Sequence, residues 1–283
     1  MQQSWERLFR DKPEGMMRFK DDPQASAGLE RLAGRPGLAI VELAGRDSVA
    51  AALAAAGRGG LEAFLPTYVY TGSEYGPFSW VEEALKRLAA RLPAGIELLP
   101  PLVFGSPGFW RALNGRLLGE LNRRYGFPTV CLGCHLYLHA ARIPLARALG
   151  QGGQGAPIIS GERESHDGKL KLNQVAPALE AYAALCAEFG VELMLPIRRE
   201  ASGRRIQEIL GLAWPEGGEQ LGCVLSGNYR DMAGGAPHDP AALEAYLQEF
   251  ALPVAREVVA EYLAGNEPPH LDIALEVMGR LTP

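Results

Sequence analysis

The 283-residue chain carries 33 acidic and 28 basic side chains, a net charge of -5, and 47% of its residues are hydrophobic. That length allows one large α/β domain with appendages or two modest domains, and the acidic balance gives no global attraction for nucleic acid, so RNA binding would need a local basic patch. Residues 1–23 mix Arg10, Lys12, Glu14, Lys20 and Asp21 without a signal-type apolar stretch, and no apolar run could span a bilayer, which predicts a cytoplasmic protein without membrane contact whose four cysteines serve packing or ligation.

Residues 1–32 are polar and read as one or two helices at a domain edge. The run GLAIVEL at 37–43 is short, apolar and rich in branched residues, as suits a strand buried on both faces of a parallel sheet. A turn follows, and Asp47 and Ser48 then open the helical stretch VAAALAAA at 49–56. The pattern repeats with strands at 64–70 and 96–104 around a helix at 80–92. Helices at 108–125 and about 132–149 come next, and the glycine-rich segment GQGGQGAP at 150–157 interrupts them. Strands return at 157–160 and 191–195, with a helix at 176–189 between them. Alternating strands and helices predict a doubly wound parallel sheet whose ligands sit beyond the strand carboxyl ends. From residue 239 onward two helical stretches, 240–264 and 271–281, predict a helical cap or an interface element, which leaves a homodimer open.

The turn at 44–48 joins a buried strand to a helix N-terminus, where unpaired backbone N–H groups and the helix dipole favour an anion. Gly45 permits close approach, Ser48 offers a hydroxyl, and Asp47 can cap the helix or stand near a nucleotide's magnesium. An ordinary strand-to-helix turn uses the same residue types. The segment LAGRDS, comprising Leu43, Ala44, Gly45, Arg46, Asp47 and Ser48, resembles the SGGxDS signature of the PP-loop ATP pyrophosphatases, the adenine nucleotide alpha hydrolase-like superfamily. Gly45, Asp47 and Ser48 match it; Leu43 and Ala44 stand where it has Ser and the first Gly. The stretch PIISGERES, with Gly161, and the stretch LPIRREASGRRIQEILG resemble later segments of that family, so the similarity covers about residues 37–231. It implies an N-terminal extension (1–33), a PP-loop α/β domain (34–235) that binds ATP with magnesium, and a helical C-terminal segment (236–283).

Cys131 and Cys134 form a CxxC at the start of a predicted helix, a spacing that lets two thiolates reach one metal. Cys223 lies far along the chain in a loop-like context, whereas Cys186 sits in the apolar stretch AYAALCAEF and reads as core. A zinc ion with His135 or His139 as third ligand, or a dithiol without metal, would use the same residues. The CLGCH run also matches a c-type haem attachment pattern, but no export signal accompanies it. His166, His238 and His270 read as solvent-facing. A subset of tRNA thiolation enzymes among the PP-loop proteins pairs a CxxC with one distant cysteine, and Cys131, Cys134 and Cys223 are similar to that arrangement. The resemblance implies a three-cysteine 4Fe-4S cluster with one iron left open, and an ATP-dependent sulfurtransferase. Such an enzyme adenylates an acceptor oxygen, releases pyrophosphate and takes sulfur from a donor. The basic residues Arg163, Lys169, Lys171, Arg198, Arg199, Arg204 and Arg205 form a solvated face or contact phosphate, and Lys169 or Arg198 would offset charge on phosphorus. The acceptor is a tRNA nucleobase or a small molecule. A nucleotide-binding protein without turnover would share the same signature.

Overall fold

The computed structural model describes residues 5–15 and 23–281. In chain order it forms α1 (Trp5–Asp11), α2 (Pro23–Leu32), β1 (Leu38–Glu42), α3 (Arg46–Ala56), β2 (Ala63–Val69), β3 (Glu74–Tyr75), α4 (Ser79–Arg91), β4 (Glu97–Leu98), β5 (Leu102–Phe104), α5 (Pro107–Asn114) and α6 (Leu118–Tyr125). The second half adds α7 (Val130–Ala140), α8 (Ile143–Leu149), β6 (Ile158–Ile159), α9 (Ala176–Glu188), β7 (Leu193–Met194), α10 (Gly203–Leu210), β8 (Gly222–Cys223), α11 (Pro240–Tyr246), α12 (Leu252–Ala264) and α13 (His270–Leu281).

The protein is α/β with a central six-stranded sheet in the order β4-β2-β1-β6-β7, and β5 also pairs with β2. Every pairing in it is parallel, with Ile40 of β1 opposite Leu65 of β2 and Ile158 of β6. All five residues of β1 are buried, as expected of a central parallel strand covered on both faces. Alternation along β1 divides the core. Leu38 and Ile40 face a layer that holds α5, α7, α8, α9 and the C-terminal helices, while Ala39, Val41 and Leu43 face α3, α4 and α10. In α3 the small residues Ala50, Ala51, Ala52 and Ala55 are all fully buried.

The differences from the predicted elements have local causes. The strand expected at 96–104 is two strands, because Pro100 and Pro101 supply no N–H groups to a ladder. The helix expected at 108–125 stops at Gly115, and the one expected at 132–149 starts at Val130 and restarts after Ala140, with Pro144 in the first turn of α8. The long C-terminal helix contains a π-helical stretch, Leu247–Ala251, directly before Pro253. A second sheet was not expected: β3 pairs antiparallel with β8, which sets Glu74 opposite Cys223. At the N-terminus Phe9 of α1 packs against the rings of Tyr68 and Phe78; part of the extension, residues 1–4 and 16–22, lies outside the described residues. Among the described residues no helix is long and apolar enough to cross a membrane.

Candidate functional site

The chain reverses winding direction between β1 and β6, since β2 lies on one side of β1 and β6 on the other. In such sheets the crevice for ligands opens at the carboxyl ends of those two strands. Leu43 is buried there and donates its N–H to the Thr67 carbonyl at 2.9 Å. The backbone N–H groups of Ala44 and Gly45 both donate to Ser48 Oγ, at 3.0 and 3.1 Å, and the Ser48 hydroxyl donates back to the Gly45 carbonyl at 2.8 Å. The Ser48 hydroxyl therefore shapes the turn. Ala44 is not among the described non-glycine residues with positive φ, so its Cβ fits where the signature has glycine.

An added Cβ at Gly45 would lie 2.7 Å from Gln220 Oε1, so a larger residue there must push the Gln220 side chain aside. At Gly161 the limit is tighter: a Cβ would fall 2.5 Å from the Ser48 nitrogen, so the end of β6 rests on the first turn of α3. Ser48 and Gly161 consequently border one cavity of about 190 Å³, together with Gly45, Arg46, Asp47, Glu162, Lys171 and Glu216.

Charges around this cavity are already paired. Asp47 accepts from Arg46 Nε at 2.8 Å and from the fully buried Arg163 Nε at 3.0 Å, which leaves its carboxylate committed to two guanidinium groups. Glu216 lies 3.0 Å from Lys171 Nζ. Burial works against its charge, but Lys171 foremost, with His166 and Arg46, outweighs this and holds the carboxyl down at about 2. Neither cavity described here is lined by Lys169 or Arg198. Lys169 is exposed in the turn that bridges it to His166, and Arg198 is held by Glu164 at 2.5 Å and Glu180 at 3.1 Å. Lys171 occupies the place expected of Lys169 and lines both cavities.

The second cavity, about 310 Å³, adjoins the first and shares Glu42, Ala44, His135, Lys171, Gln174 and Leu221 with it. Cys131, Cys134 and Cys223 all line it. The first two come from the opening turns of α7, and the β3–β8 pairing brings Cys223 across from the far end of the chain. Cys186 is buried in α9 and lines neither cavity. Trp110 Nε1–H donates to Cys134 Sγ at 3.4 Å, and the Cys223 thiol donates to Ser73 Oγ at 3.2 Å. Burial pushes the Cys131 thiol up to about 11, and Cys223 adds to this. Burial raises the Cys134 thiol further, with the neighbouring Cys223 and Cys131 adding to it. Among the described residues no three His, Cys, Asp or Glu side chains form a group that could hold a metal ion as they stand. The donor chemistry nevertheless suits a soft cation: three thiols face one space, and the ionisation of Cys131 and Cys134 is opposed by burial and by neighbouring thiols, which a bound cation relieves.

Between the cavities lies a buried network that the sequence did not disclose. His135 Nδ1 is 2.6 Å from Glu162 Oε1, His139 Nε2 is 3.4 Å from the same oxygen, and Gln174 donates to Glu162 Oε2. Burial disfavours the His135 imidazolium, but Glu162 outweighs it and raises the pKa. Burial likewise opposes the Glu162 carboxylate, and His135 and His139 hold it well below the usual range. His166, read as solvent-facing, is buried, because Asp47 and Glu216 reach it from remote positions, and His139 is buried against Tyr182. The nearest sequence signal was the acidic residue directly after Gly161.

No protein-family model matches the chain, and no solved structure matches it. A curated relative, the uncharacterized protein MJ0009 of Methanocaldococcus jannaschii, is 40% identical over 234 residues, which cover 81% of this chain and 82% of the relative. The chain belongs to the same family as that archaeal protein.

Proposed function

We propose that the chain is an ATP-dependent sulfurtransferase of the PP-loop kind. The observation that carries this reading is the junction of two cavities at the β1–β6 switch point, one against the turn at 44–48 and the other lined by three of the four cysteines. Polyphosphate would lie on the first turn of α3, where backbone N–H groups and the helix dipole meet it. An acceptor oxygen attacks the α-phosphorus and pyrophosphate leaves; sulfur then attacks the acceptor carbon and AMP leaves with the oxygen. The acceptor would enter the larger cavity, beside the thiols.

Cys131, Cys134 and Cys223 would hold a 4Fe-4S cluster, which when bound supplies an open iron for sulfur; zinc at the same thiols is the alternative. Lys171 stands between the cavities and counters charge on the phosphates, a role expected earlier of Lys169 and Arg198. His135, held by Glu162, can give or accept a proton at Nε2, which lies 2.9 Å from Asn173 Nδ2. Asp47 is paired with two guanidinium groups, so magnesium is assigned to the nucleotide and not to this carboxylate.

The test is pyrophosphate release from ATP by anaerobically purified protein, with bulk tRNA or a small thioamide precursor as acceptor. Release with one of these, together with iron and sulfide that vanish in Cys223→Ala but persist in Cys186→Ala, is the expected outcome. ATP binding without release would reduce the protein to a nucleotide binder, and zinc without sulfide would replace the cluster.

A further inference from the structure

Glu216 comes from the loop between α10 and β8, yet its carboxylate lies among groups that belong to the nucleotide side of the sheet. Its oxygens are 3.0 Å from Lys171 Nζ, 3.2 Å from His166 Nδ1, 3.4 Å from Arg163 Nη2 and 3.5 Å from Arg46 Nη2. Arg163, Arg46 and His166 are only 0%, 3% and 1% exposed. Arg46 Nη2 is nevertheless buried without a hydrogen bond. Buried donors are seldom left unpaired, and Asp47, which accepts from Nε of both arginines, and Glu216 together still leave one guanidinium nitrogen without a partner. A phosphate group carries more acceptors and more charge, and guanidinium groups bind it in paired fashion.

The position of Glu216 also matters. Arg46, Lys171 and Glu216 line the smaller cavity, whereas Arg163 and His166 do not. Glu216 covers them. Its loop is anchored on one side by Trp214, whose Nε1–H donates to the Gly218 carbonyl at 2.7 Å under the Arg87 guanidinium, and on the other by Gln220 against Gly45. We infer that Arg46, Arg163 and Lys171 form an anion subsite for the polyphosphate of a nucleotide, and that Glu216 fills it in the free protein as an internal phosphate substitute which the ligand displaces. This rests on the nucleotide reading of the turn at 44–48.

An internal competitor lowers apparent affinity by the fraction of molecules in which it blocks the site. Its removal should tighten binding. Calorimetry with ATP and, separately, inorganic tripolyphosphate at one fixed low salt concentration is expected to show Glu216→Gln binding both about tenfold more tightly than the wild type. Lys171→Gln should bind them about tenfold more weakly, and this half-buried side chain keeps the test open if Glu216→Gln fails to fold. Tripolyphosphate should also change the tryptophan emission of the wild type, and that change should be absent in Trp214→Phe. Unchanged or weaker ATP affinity in folded Glu216→Gln, or wild-type affinity in Lys171→Gln, overturns the subsite and leaves the nucleotide reading standing. Tighter tripolyphosphate binding without any ATP binding supports the subsite and ends the nucleotide reading. Absence of both ligands from wild type and variants ends both.

Discussion

The charge of Glu162 is decided by two histidines and a glutamine at the edge of the smaller cavity. Its side chain is 4% exposed, so removing the charge strands the imidazolium of His135, whose pKa Glu162 raises. A raised histidine pKa contributes stability that is complete below its unfolded value of 6.5 and is lost as pH rises through the folded value. The depressed Glu162 contributes above its unfolded value of 4.5 and loses that contribution as pH falls toward the folded value. Glu162→Gln should therefore cost about 3 kcal/mol in mildly acidic buffer, with the cost shrinking as pH climbs past the raised His135 value. Urea melts of both proteins across that range measure it, and a pH-independent gap would show that His135 carries no charge set by Glu162. Gly161 makes a separate demand. An alanine there would press its Cβ onto backbone at Ser48, which can yield only by shifting α3, so Gly161→Ala should cost about 1–3 kcal/mol and weaken the proposed ATP binding with it. An alanine variant with wild-type stability and affinity would mean that the two loops are not braced on each other.

The smallest elements, β3 and β8, decide whether Cys223 reaches the cysteines of α7. Val224 N–H donates to the Ser73 carbonyl at 2.9 Å beside the Glu74–Cys223 pair, while the Val224 side chain is 69% exposed. Val224→Pro removes that donor with little loss of packing. Thiol cross-linking between Cys131 and Cys223 by a short bifunctional reagent should then fall severalfold, while cross-linking within the Cys131–Cys134 pair persists; equal yields would show that β8 is not what delivers Cys223. This pairing also marks the limit of what the chain discloses on its own. The strand at Leu38–Glu42 and the helix after it are legible because an unbroken run of apolar, largely branched residues and the alanine-rich run behind it are long enough to read. A two-residue strand is not. The CxxC is legible as a local spacing, and Cys186 as core from its apolar neighbours. Glu162, Glu216 and Lys171 acquire meaning only from partners that folding brings from remote positions, so the basic runs after the strand ends pointed to Lys169 or Arg198, which line neither cavity.

At the scale of the whole molecule, the division into a nucleotide domain and a helical C-terminal segment meets a continuous core. Leu243, Tyr246, Leu247, Phe250, Val254, Val258, Val259 and Val277 are each at most 1% exposed and pack in the same cluster as Leu113, Leu132, Tyr137 and Leu179. Full burial of such side chains contributes roughly 1.5–3 kcal/mol apiece, whereas the net stability of a folded protein is only about 5–15 kcal/mol. Deleting the C-terminal helices removes this contribution and lays bare the apolar sides of α5, α7 and α9, the elements that carry Trp110 and both cysteines of the CxxC. A chain ending at residue 236 should therefore lose cooperative thermal unfolding and near-ultraviolet circular dichroism and should bind an apolar dye, though its own strands and the turn at 44–48 are all present. The full-length protein supplies the reference for each measurement. A truncated chain that still melts cooperatively and keeps its tertiary signal would show that the C-terminal helices are an appended cap, and that the cavity lined by Cys131, Cys134 and Cys223 is held in place by the sheet and its first layer of helices alone.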